Sequence, residues 1–463
     1  MRTIRPAVPL AESILGKSVL RIGQQCRPLT YLVRAEHADG TLLYNVMTKA
    51  IVLLTPEEAV LFDALPAAYT EAYQALADMW FIVPADNDDM ALSDGMKNVV
   101  MALDSQPRPL TSYTIFTTTD CNARCFYCFE AGTRRYNMTE QTAHDVAAFI
   151  VRKCEGKPVS LHWFGGEPLF NSRVIDIICA DLRQAGIEYK STMISNGYLF
   201  DEEMIRKAVS DWKLTRVQIT LDGTEEQYNR RKAYVRPEGS PYQRVLGNIE
   251  LLDKAGIAVH IRLNTELANA EDISLLVDEL RERFRGHRHI MVYIAPIFEN
   301  LGTRPVTYND ESRAEMHRLT EQLQQRLIDE GLQRVPNTEK NIRYRQCMAD
   351  NESSTTILPD GRLGRCEHYT DSETYGSIYS DERDEEKLCE WRKVLPKQPE
   401  CSSCFHYPAC VRLAHCPNRT EYCDAHVRGS GMVKLRSGLL ATYERCLSKL
   451  RAEQDEPDNP AEC

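Results

Sequence analysis

The middle of the chain alternates short apolar segments with amphipathic segments of helical length. Between residues 111 and 300 the apolar segments are YTIFTTT, VSLHWF, KSTMISN, RVQITL, VHIRLN and HIMVYIAPI. The segments between them include TEQTAHDVAAFIVRKC, NSRVIDIICADLRQAG and DISLLVDELRERFR. Continuous β-branched strands that alternate with helices are typical of a parallel sheet covered by helices. This pattern predicts an α/β fold, a partial (β/α)6 TIM-like barrel, with functional residues at the carboxyl ends of the strands.

The regions on either side of this alternation have a different character. Before it, TYLVRAE and TLLYNVM are joined by HADG, which predicts a β-hairpin, and Thr55 before Pro56 predicts the start of a helix. After it, a charged helical segment leads into a cysteine-rich region with few periodic segments. Five regions are predicted: a small winged-helix-like α+β domain (1–105), the barrel (106–310), a linker helix (311–345), a cysteine-rich domain (346–430), and a helix with a tail (431–463).

Composition argues against several classes of function. The 463 residues carry a formal net charge of −11, so nucleic acid is not an expected general partner. No apolar run is long enough to span a membrane, and the N-terminus lacks the apolar core of a secretory signal. We therefore expect a cytoplasmic protein. In a reducing cytoplasm, those of its 16 cysteines that are grouped indicate metal binding or catalysis.

Three cysteines follow the first strand of the alternating region. Cys121, Cys125 and Cys128 lie within TTTDCNARCFYCFEAG, and we call them the loop cysteines. Three thiolates in one loop can hold three irons of a 4Fe–4S cluster and leave the fourth iron open to a substrate or cofactor. Zinc is the competing metal, but its sites usually use paired cysteines, and catalytic zinc sites often include a histidine, which this segment lacks. The spacing therefore indicates an iron–sulfur cluster.

The CxxxCxxC spacing, with Tyr127 before the last cysteine, resembles the hallmark of the radical S-adenosylmethionine (SAM) superfamily. The resemblance implies that one electron from the cluster cleaves SAM to a 5′-deoxyadenosyl radical, which abstracts a hydrogen atom from the substrate. Later motifs match the positions at which the family binds SAM, because GGEP, SNG and TLDG follow the second, third and fourth strands. The implied SAM-binding residues are Tyr127, Gly165, Gly166, Glu167, Ser195, Asn196, Thr220, Asp222, Arg231, Lys232, Arg262 and Asn264.

Some of these implied roles follow from the chemistry of the side chain. Gly165 and Gly166 would allow a close backbone approach, and the Glu167 carboxylate would complement the ammonium group of SAM. The family often places an arginine near the position of Lys232 to bind the carboxylate of SAM. Here Lys232 takes the best-matching position and Arg231 precedes it, so either cation is a candidate.

A second set of cysteines lies in the C-terminal region. Its spacing resembles the SPASM domain, an iron–sulfur domain that carries auxiliary 4Fe–4S clusters in radical SAM enzymes that modify peptides and proteins. The resemblance implies three clusters in total, with an inner one on Cys347, Cys366 and Cys416 and an outer one on Cys401, Cys404, Cys410 and Cys423. Five residues separate Cys410 from Cys416, where the family usually has three. The inner cluster lacks a fourth cysteine, so either a substrate thiolate binds its open iron or another residue, such as His368 or His415, completes it.

The N-terminal region adds an expectation about the substrate. Its size and order of elements resemble the module that binds the leader of a precursor peptide in peptide-maturing radical SAM enzymes, where the leader adds a strand to a sheet edge. The resemblance implies a maturase of ribosomally synthesised peptides (RiPPs) that forms a thioether, carbon–carbon or carbon–oxygen crosslink, or epimerises a residue. The auxiliary clusters favour oxidative crosslinking, which needs an electron acceptor. The implied partners are the precursor peptide and a low-potential electron donor such as flavodoxin or ferredoxin.

Three alternatives stay open. The N-terminal region could pack on the barrel without binding a leader. A sulfatase-maturating enzyme, which oxidises cysteine or serine to formylglycine, would use an acidic base beside the inner-cluster cysteine, and Glu367 follows Cys366. A non-catalytic iron–sulfur scaffold or electron carrier would not need the GGEP and TLDG motifs at strand ends. We therefore favour an enzyme, with Glu367 as a candidate catalytic residue.

Overall fold

The computed structural model describes residues 1–104, 108–297, 309–344, 347–368, 373–411, 413–416 and 425–455. Its first part, the N-terminal unit, has strands β1 (Arg2–Arg5), β2 (Gln25–Pro28), β3 (Leu32–His37), β4 (Gly40–Asn45), β5 (Ile51–Leu54), β6 (Ala67–Ala68) and β7 (Ile82–Pro84). Its helices are α1 (Pro9–Leu15), α2 (Pro56–Asp63), α3 (Gln74–Asp78) and α4 (Asp89–Asp104). The strands form two antiparallel sheets in the orders β1-β5-β4-β3 and β6-β2-β7.

The local predictions for the N-terminal unit are confirmed. Strands β3 and β4 form an antiparallel hairpin in continuous register over six residue pairs. At the start of α2 the Thr55 hydroxyl accepts a hydrogen bond from the Glu58 backbone, and the Glu58 carboxylate accepts one from the Thr55 backbone at 2.9 Å. This capping box satisfies backbone N–H groups that the first turn of a helix leaves unpaired.

The predicted parallel α/β architecture is also confirmed. The central region consists of β8 (Ser112–Thr118), α5 (Glu140–Lys153), β9 (Val159–Gly165), α6 (Ser172–Gln184), β10 (Tyr189–Ser195), α7 (Glu202–Ser210), β11 (Leu214–Leu221), α8 (Glu225–Lys232), α9 (Pro241–Lys254), β12 (Ala258–Thr265), α10 (Ala270–Phe284) and β13 (Ile290–Pro296). Its strands are parallel neighbours in the order β13-β12-β11-β10-β9-β8. Between sheet and helices lies the largest apolar core, which buries Trp163, Trp212 and the helical thiol of Cys179.

The C-terminal region extends this central sheet. It contains α11 (Asp310–Asp329), β14 (Ser354–Ile357), β15 (Arg362–Gly364), β16 (Thr374–Ser377), β17 (Ser380–Arg383), α12 (Glu385–Glu390) and α13 (Ala425–Asp455). Strand β14 pairs with β8 in parallel, and β15 to β17 continue antiparallel, which gives one ten-stranded sheet. The predicted linker helix is shorter than expected, because Gly331 adopts a φ of 75° and Pro336 follows.

The N-terminal unit packs against the C-terminal region. One apolar cluster joins the sheet of the N-terminal unit to the turn at Tyr407 and to helix α13. It includes Tyr31, Val33, Tyr44, Tyr407, Leu439 and Tyr443. The Tyr443 hydroxyl also donates a hydrogen bond to Asp39 at 2.8 Å. The N-terminal unit therefore contacts the segments that carry and follow the last cysteines. None of the helices in the described ranges has an apolar stretch of the length needed to cross a membrane.

Candidate radical SAM site

The loop cysteines follow β8 in a segment tied to the end of α8. The Arg124 backbone N–H donates to the Lys232 carbonyl at 2.9 Å, and the Val235 N–H donates to the Asn122 carbonyl at 2.8 Å. The Asn196 side chain, at the end of β10, donates to Asn122 Oδ1 at 2.6 Å. The loop is therefore held at the carboxyl edge of the parallel sheet, where the sequence predicted the functional residues.

The thiols of the loop cysteines lie within electrostatic reach of one another. Burial raises the pKa of Cys121 and of Cys128 to about 12 each, and in both cases the thiolate of Cys125 raises the pKa further. Metal ligation requires thiolates, and a bound metal supplies the positive charge that stabilises them at buried positions. Three such thiols in one loop are a donor set that fits an iron–sulfur cluster.

Two glycines let the next strand end approach this loop closely. Gly165 has a φ of 126°, and a Cβ atom there would lie 2.1 Å from the Thr118 carbonyl oxygen. A Cβ atom on Gly166 would lie 2.2 Å from the Asp120 carbonyl oxygen. Larger residues would push β9 away from the loop cysteines. The two glycines therefore allow a close approach between two parts of the protein, and their contact with SAM stays a prediction.

Glu167 is fully buried and joins β9 to β10. Its carboxylate accepts hydrogen bonds from the Ser195 hydroxyl at 2.9 Å, the Asn196 N–H at 2.8 Å and the Leu169 N–H at 3.2 Å. Burial raises the pKa of Glu167 to about 7 despite these donors. A cationic ligand beside it would favour the ionised form. The structure thus brings together three residues that the sequence assigned to SAM.

The two candidate cations are both paired within the protein. Lys232 Nζ lies 3.1 Å from Asp222 and donates to the Tyr127 hydroxyl at 2.9 Å, and the Tyr127 hydroxyl donates to Asp222 at 2.7 Å. Arg231 Nη1 contacts Glu266 at 2.6 Å, but its buried Nε and Nη2 atoms have no hydrogen-bond partner among the described residues. Arg231 therefore keeps N–H groups that can bind a carboxylate, whereas Lys232 is used to hold the loop.

The remaining predicted SAM residues lie on neighbouring strands. Thr220 on β11 is in register with Arg262 on β12. Asn264, two residues further along β12, has a buried side-chain oxygen without a hydrogen-bond partner in the described ranges. Burial lowers the pKa of His368, and the Arg262 guanidinium lowers it further. Arg262 thus lies on the side of the sheet that faces the C-terminal cysteines.

A cavity of about 660 Å³ lies against the inner surface of the parallel strands. Hydrogen bonds within it join His162 Nδ1 to Thr192 Oγ1 at 2.7 Å and the Tyr293 hydroxyl to Gln218 at 2.7 Å. Its wall also includes Phe164, Ile194, Arg216, His260, Cys347 and Glu367. Sequence reasoning did not identify the polar residues that the strands contribute to this wall. Its signal is a polar residue at alternate positions of otherwise apolar strands, such as His162 in VSLHWF.

The inner thiol triad, which we define as Cys347, Cys366 and Cys416, lies next to this cavity. Burial raises the pKa of Cys366, and the other two thiols raise it further, so the three are close together. Cys366, Glu367 and His368 also place their ligand atoms within 4.8 Å of one another. The His368 ring lies 4.7 Å from the ring of Phe129, which follows the last loop cysteine. The two cysteine regions therefore meet at this ring pair.

The outer thiol triad, which we define as Cys401, Cys404 and Cys410, lines a separate cavity of about 390 Å³. Cys401 lies in the turn 399–403, Cys404 directly follows that turn, and Cys410 directly follows the turn 407–409. The shared cavity and the three thiols fit metal ligation. The fourth predicted ligand of this site, Cys423, lies outside the described residues. His415, the other candidate ligand of the inner site, pairs with Glu373 at 3.1 Å.

Residues 115–290 match the family model of the Radical SAM superfamily. This match covers β8 to the start of β13, and includes the loop cysteines and the strand ends described above. Residues 115–290 therefore carry a radical SAM domain. Among its curated relatives are the AdoMet-dependent heme synthase of Methanosarcina barkeri, 27% identical over 166 residues, and the probable GTP 3′,8-cyclase of Archaeoglobus fulgidus, 30% identical over 158 residues. The matches cover 36% and 34% of this chain and 45% and 49% of those relatives, so the chain spans about half their length.

Solved structures share the fold at low sequence identity. Streptococcus suis SuiB bound to the precursor peptide SuiA is 16% identical, with a TM-score of 0.51 over 87% of this chain and 99% of that chain. The structure of anSMEcpe with bound AdoMet and Cp18Cys peptide is 15% identical, with a TM-score of 0.54 over 73% of this chain and 99% of that chain. These similarities extend well beyond the superfamily match and concern the fold alone.

Proposed function

We propose that this protein generates a 5′-deoxyadenosyl radical from SAM and uses it to crosslink a ribosomally synthesised peptide oxidatively. One observation carries the proposal: the polar cavity of about 660 Å³ extends from Phe164, beside the GGE segment, to Cys347 and Glu367 at the inner thiol triad. A peptide side chain in this cavity would face both the radical source and a candidate electron acceptor. A barrel that only carried electrons would not need such a cavity.

The loop cysteines would hold the 4Fe–4S cluster, and the strand ends would bind SAM. When bound, cluster and SAM supply the radical chemistry. Glu167 would accept hydrogen bonds from the ammonium group of SAM, and the unpartnered N–H groups of Arg231 would bind its carboxylate. Tyr127 and Lys232 would position the loop through Asp222. The other SAM contacts that we propose are Gly165, Gly166, Ser195, Asn196, Thr220, Asp222, Arg262 and Asn264.

The inner and outer thiol triads would hold two auxiliary clusters and accept the electron that an oxidative crosslink releases. Cys423 would complete the outer site, and His368 would complete the inner one. Cys366 Sγ and His368 Nδ1 are 3.8 Å apart, whereas the His415 ring contacts the Glu373 carboxylate. A ring nitrogen this close to a ligand thiol can reach the same metal with a small side-chain movement, so His368 is the better candidate.

Glu367 would serve as the base. An oxidative crosslink removes one hydrogen atom, taken by the radical, and one proton and one electron from the partner group. Glu367 lines the cavity beside Cys366, and we propose that it would take the proton while a cluster at the inner thiol triad would accept the electron. A low-potential donor such as flavodoxin or ferredoxin would reduce the loop cluster.

The N-terminal unit would bind the leader of the peptide by strand addition. Strand β3 is the better edge, because β1 has four residues and an irregular register, whereas β3 has six residues in continuous register with β4. A regular, longer edge offers more backbone hydrogen bonds to an added strand. With this role, the five predicted regions become a leader-binding domain, a partial barrel, a linker, a SPASM domain and a C-terminal helix.

Metal content and SAM cleavage test the proposal directly. After anaerobic reconstitution, three 4Fe–4S clusters predict about 12 irons per chain, and a Cys121/Cys125/Cys128→Ala variant should keep about 8. Reduced wild-type protein should form 5′-deoxyadenosine from SAM, and the variant should not. The matched control is Cys389→Ala, an exposed cysteine with no assigned role, which should keep iron content and SAM cleavage. Zinc in place of iron after reconstitution would contradict the radical mechanism.

The substrate is tested by mass spectrometry of co-expressed peptides. A crosslinked product should lose two hydrogen atoms, and Glu367→Gln should abolish this loss while leaving SAM cleavage in place. The second candidate, sulfatase maturation, is favoured by the same acidic residue beside Cys366 at the cavity. Formylglycine in a co-expressed sulfatase, with no change in any short peptide, would replace our proposal by that one.

A further inference from the structure

We propose that Lys97 sets the reduction potential of the iron–sulfur cluster at the outer thiol triad by placing a positive charge from the N-terminal unit beside it. The inference rests on the proposed function, because that function puts a cluster on Cys401, Cys404 and Cys410. In this proposal the N-terminal unit is part of the redox site as well as a candidate leader-binding module.

The outer cavity is a boundary between two distant parts of the chain. Its wall on one side is α4 of the N-terminal unit, through Asp94, Lys97, Asn98 and Met101. On the other side the wall is formed by the outer thiol triad and by turns between residues 392 and 411. A cluster held by the triad in this cavity would therefore have α4 as its neighbour. Lys97 is the one lysine of α4 and points into this wall.

Tyr407 holds Lys97 in place. Lys97 Nζ lies 3.9 Å from the centroid of the Tyr407 ring, which is a cation–π distance. Tyr407 stands between Cys404 and Cys410 in the sequence, so its ring belongs to the segment that carries the triad. Its hydroxyl donates to Asp94, one turn before Lys97 on α4. The lysine is thus fixed above the cysteine segment by contacts on both sides of the boundary.

The carboxylate near Lys97 is paired with other groups, so the positive charge of Lys97 can act on the thiols. The Asp94 carboxylate, one turn before Lys97 on α4, pairs with Lys397 and accepts a hydrogen bond from the Tyr407 hydroxyl. Burial lowers the pKa of Lys97, and the charges of Cys410 and Asp94 oppose that effect. A thiolate-ligated cluster would add negative charge at the same place and favour the ammonium form further.

A fixed positive charge raises the reduction potential of a nearby cluster. Reduction adds an electron, so an ammonium group stabilises the reduced form more than the oxidised form. Net charge around the cluster is among the factors that set the potential of iron–sulfur centres. Lys97 is half-buried, so salt and water screen its field less than they would screen a surface lysine.

The test is a redox titration of the reconstituted holoenzyme, followed by electron paramagnetic resonance. In Lys97→Met the midpoint potential of one of the three clusters should become more negative, with the other two unchanged. Lys97→Arg keeps the charge and should keep the wild-type potentials. The matched control is Lys393→Met, which removes an exposed lysine of the same C-terminal region that pairs with Glu390.

The iron content and the potentials together distinguish a failure of the proposed function from a failure of the role of Lys97. Wild-type protein with about four irons would remove the outer cluster, and with it both the proposed electron acceptor and this inference. Wild-type protein with about 12 irons and unchanged potentials in Lys97→Met would overturn this inference alone. If Lys97→Met loses about four irons, Lys97→Arg decides: retained iron supports a charge at the cluster, and equal loss shows that packing alone is involved.

Discussion

The loop cysteines and the outer thiol triad each present three thiols, but the protein around them differs. The loop is tied to other elements by backbone hydrogen bonds, from Glu167 N–H to the Asp120 carbonyl at 2.9 Å and from Val235 N–H to the Asn122 carbonyl at 2.8 Å. In the triad the backbone N–H groups donate locally, such as Cys404 N–H to the Cys401 carbonyl at 3.2 Å. The fold therefore organises the first site, whereas the cluster that we propose at the second would contribute much of its order.

Removing the thiols should affect the two regions very differently. In a Cys401/Cys404/Cys410→Ala variant we expect residues 373–416 to lose hydrogen-exchange protection by several kcal/mol, because the free energy of metal binding is free energy of folding at such sites. In a Cys121/Cys125/Cys128→Ala variant, β8 to β13 should keep their protection within about 1 kcal/mol. Hydrogen exchange with mass spectrometry measures both.

The exposed Cys389 is the control for this pair of variants, since Cys389→Ala removes a thiol that belongs to neither group and should leave both regions unchanged. A loss of protection in β8 to β13 of the Cys121/Cys125/Cys128→Ala variant as large as the loss in residues 373–416 of the Cys401/Cys404/Cys410→Ala variant would contradict the comparison. It would mean that the loop, too, depends on its cluster for order.

The second prediction concerns the buried ion pair that holds the loop. The side chains of Lys232 and Asp222 are 5% and 0% exposed, with N and O 3.1 Å apart. Lys232→Met leaves the Asp222 carboxylate buried and unpaired, so we expect a loss of about 3–5 kcal/mol in the stability of the central region. Chemical denaturation of the metal-free protein, followed by hydrogen exchange in β11 and α8, measures this loss.

An exposed ion pair provides the matched control. Lys153 and Asp381 are 2.8 Å apart, but their side chains are 26% and 78% exposed, so Lys153→Met should cost less than about 1 kcal/mol. In Lys232→Met/Asp222→Asn the unpaired charge is gone, and most of the stability should return. If the double variant stays as unstable as Lys232→Met, packing of the lysine stem rather than charge holds the loop.

The third prediction concerns the close approach of β9 to the loop. Gly166→Ala would place a Cβ atom 2.2 Å from the Asp120 carbonyl oxygen, and the backbone would have to move. We expect a loss of about 1–3 kcal/mol, together with weaker SAM binding, measured by thermal unfolding and by calorimetry with SAM.

Gly247 on α9 is the control, because a Cβ atom there would meet nothing within 4 Å. Gly247→Ala should raise stability by about 0.5–1 kcal/mol through helix propensity and leave SAM binding unchanged. Unchanged SAM binding in Gly166→Ala would show that the loop tolerates a displacement of this strand end.

The sequence predicted the parts of the site that depend on local order along the chain. The six parallel strands, the loop cysteines and the joint position of Glu167, Ser195 and Asn196 follow from periodicity and from motifs at strand ends. The ion pair between Lys232 and Asp222 could not be predicted, because it depends on how α8 is placed against β11. Local sequence does not encode that distance between side chains.

The central cavity and the extended sheet also depend on tertiary structure. Polar residues at alternate strand positions, including Arg216 and His260, indicate a polar face of the sheet, but the residues that close this face into a cavity, such as Gln324, come from distant parts of the chain. Strands β14 to β17 have three or four residues each, which is too short for a recognisable alternation. The pairing of β14 with β8 is a long-range contact that the sequence pattern does not reveal.

The smallest expected effect concerns the contact between the outer thiol triad and the N-terminal unit. Tyr407→Phe removes one hydroxyl, which donates to Asp94 on α4. Because Asp94 is partly exposed and can bind water instead, we expect a loss of only about 1 kcal/mol. Hydrogen exchange in α4 and in residues 399–411 would report it. The control is Tyr443→Phe. The Tyr443 hydroxyl on α13 donates to Asp39 of the N-terminal unit, and its loss should leave the protection of residues 399–411 unchanged. A measurable effect confined to Tyr407→Phe would show that the triad is ordered by the N-terminal unit as well as by metal; no effect would leave metal as its main source of order and widen the difference from the loop cysteines.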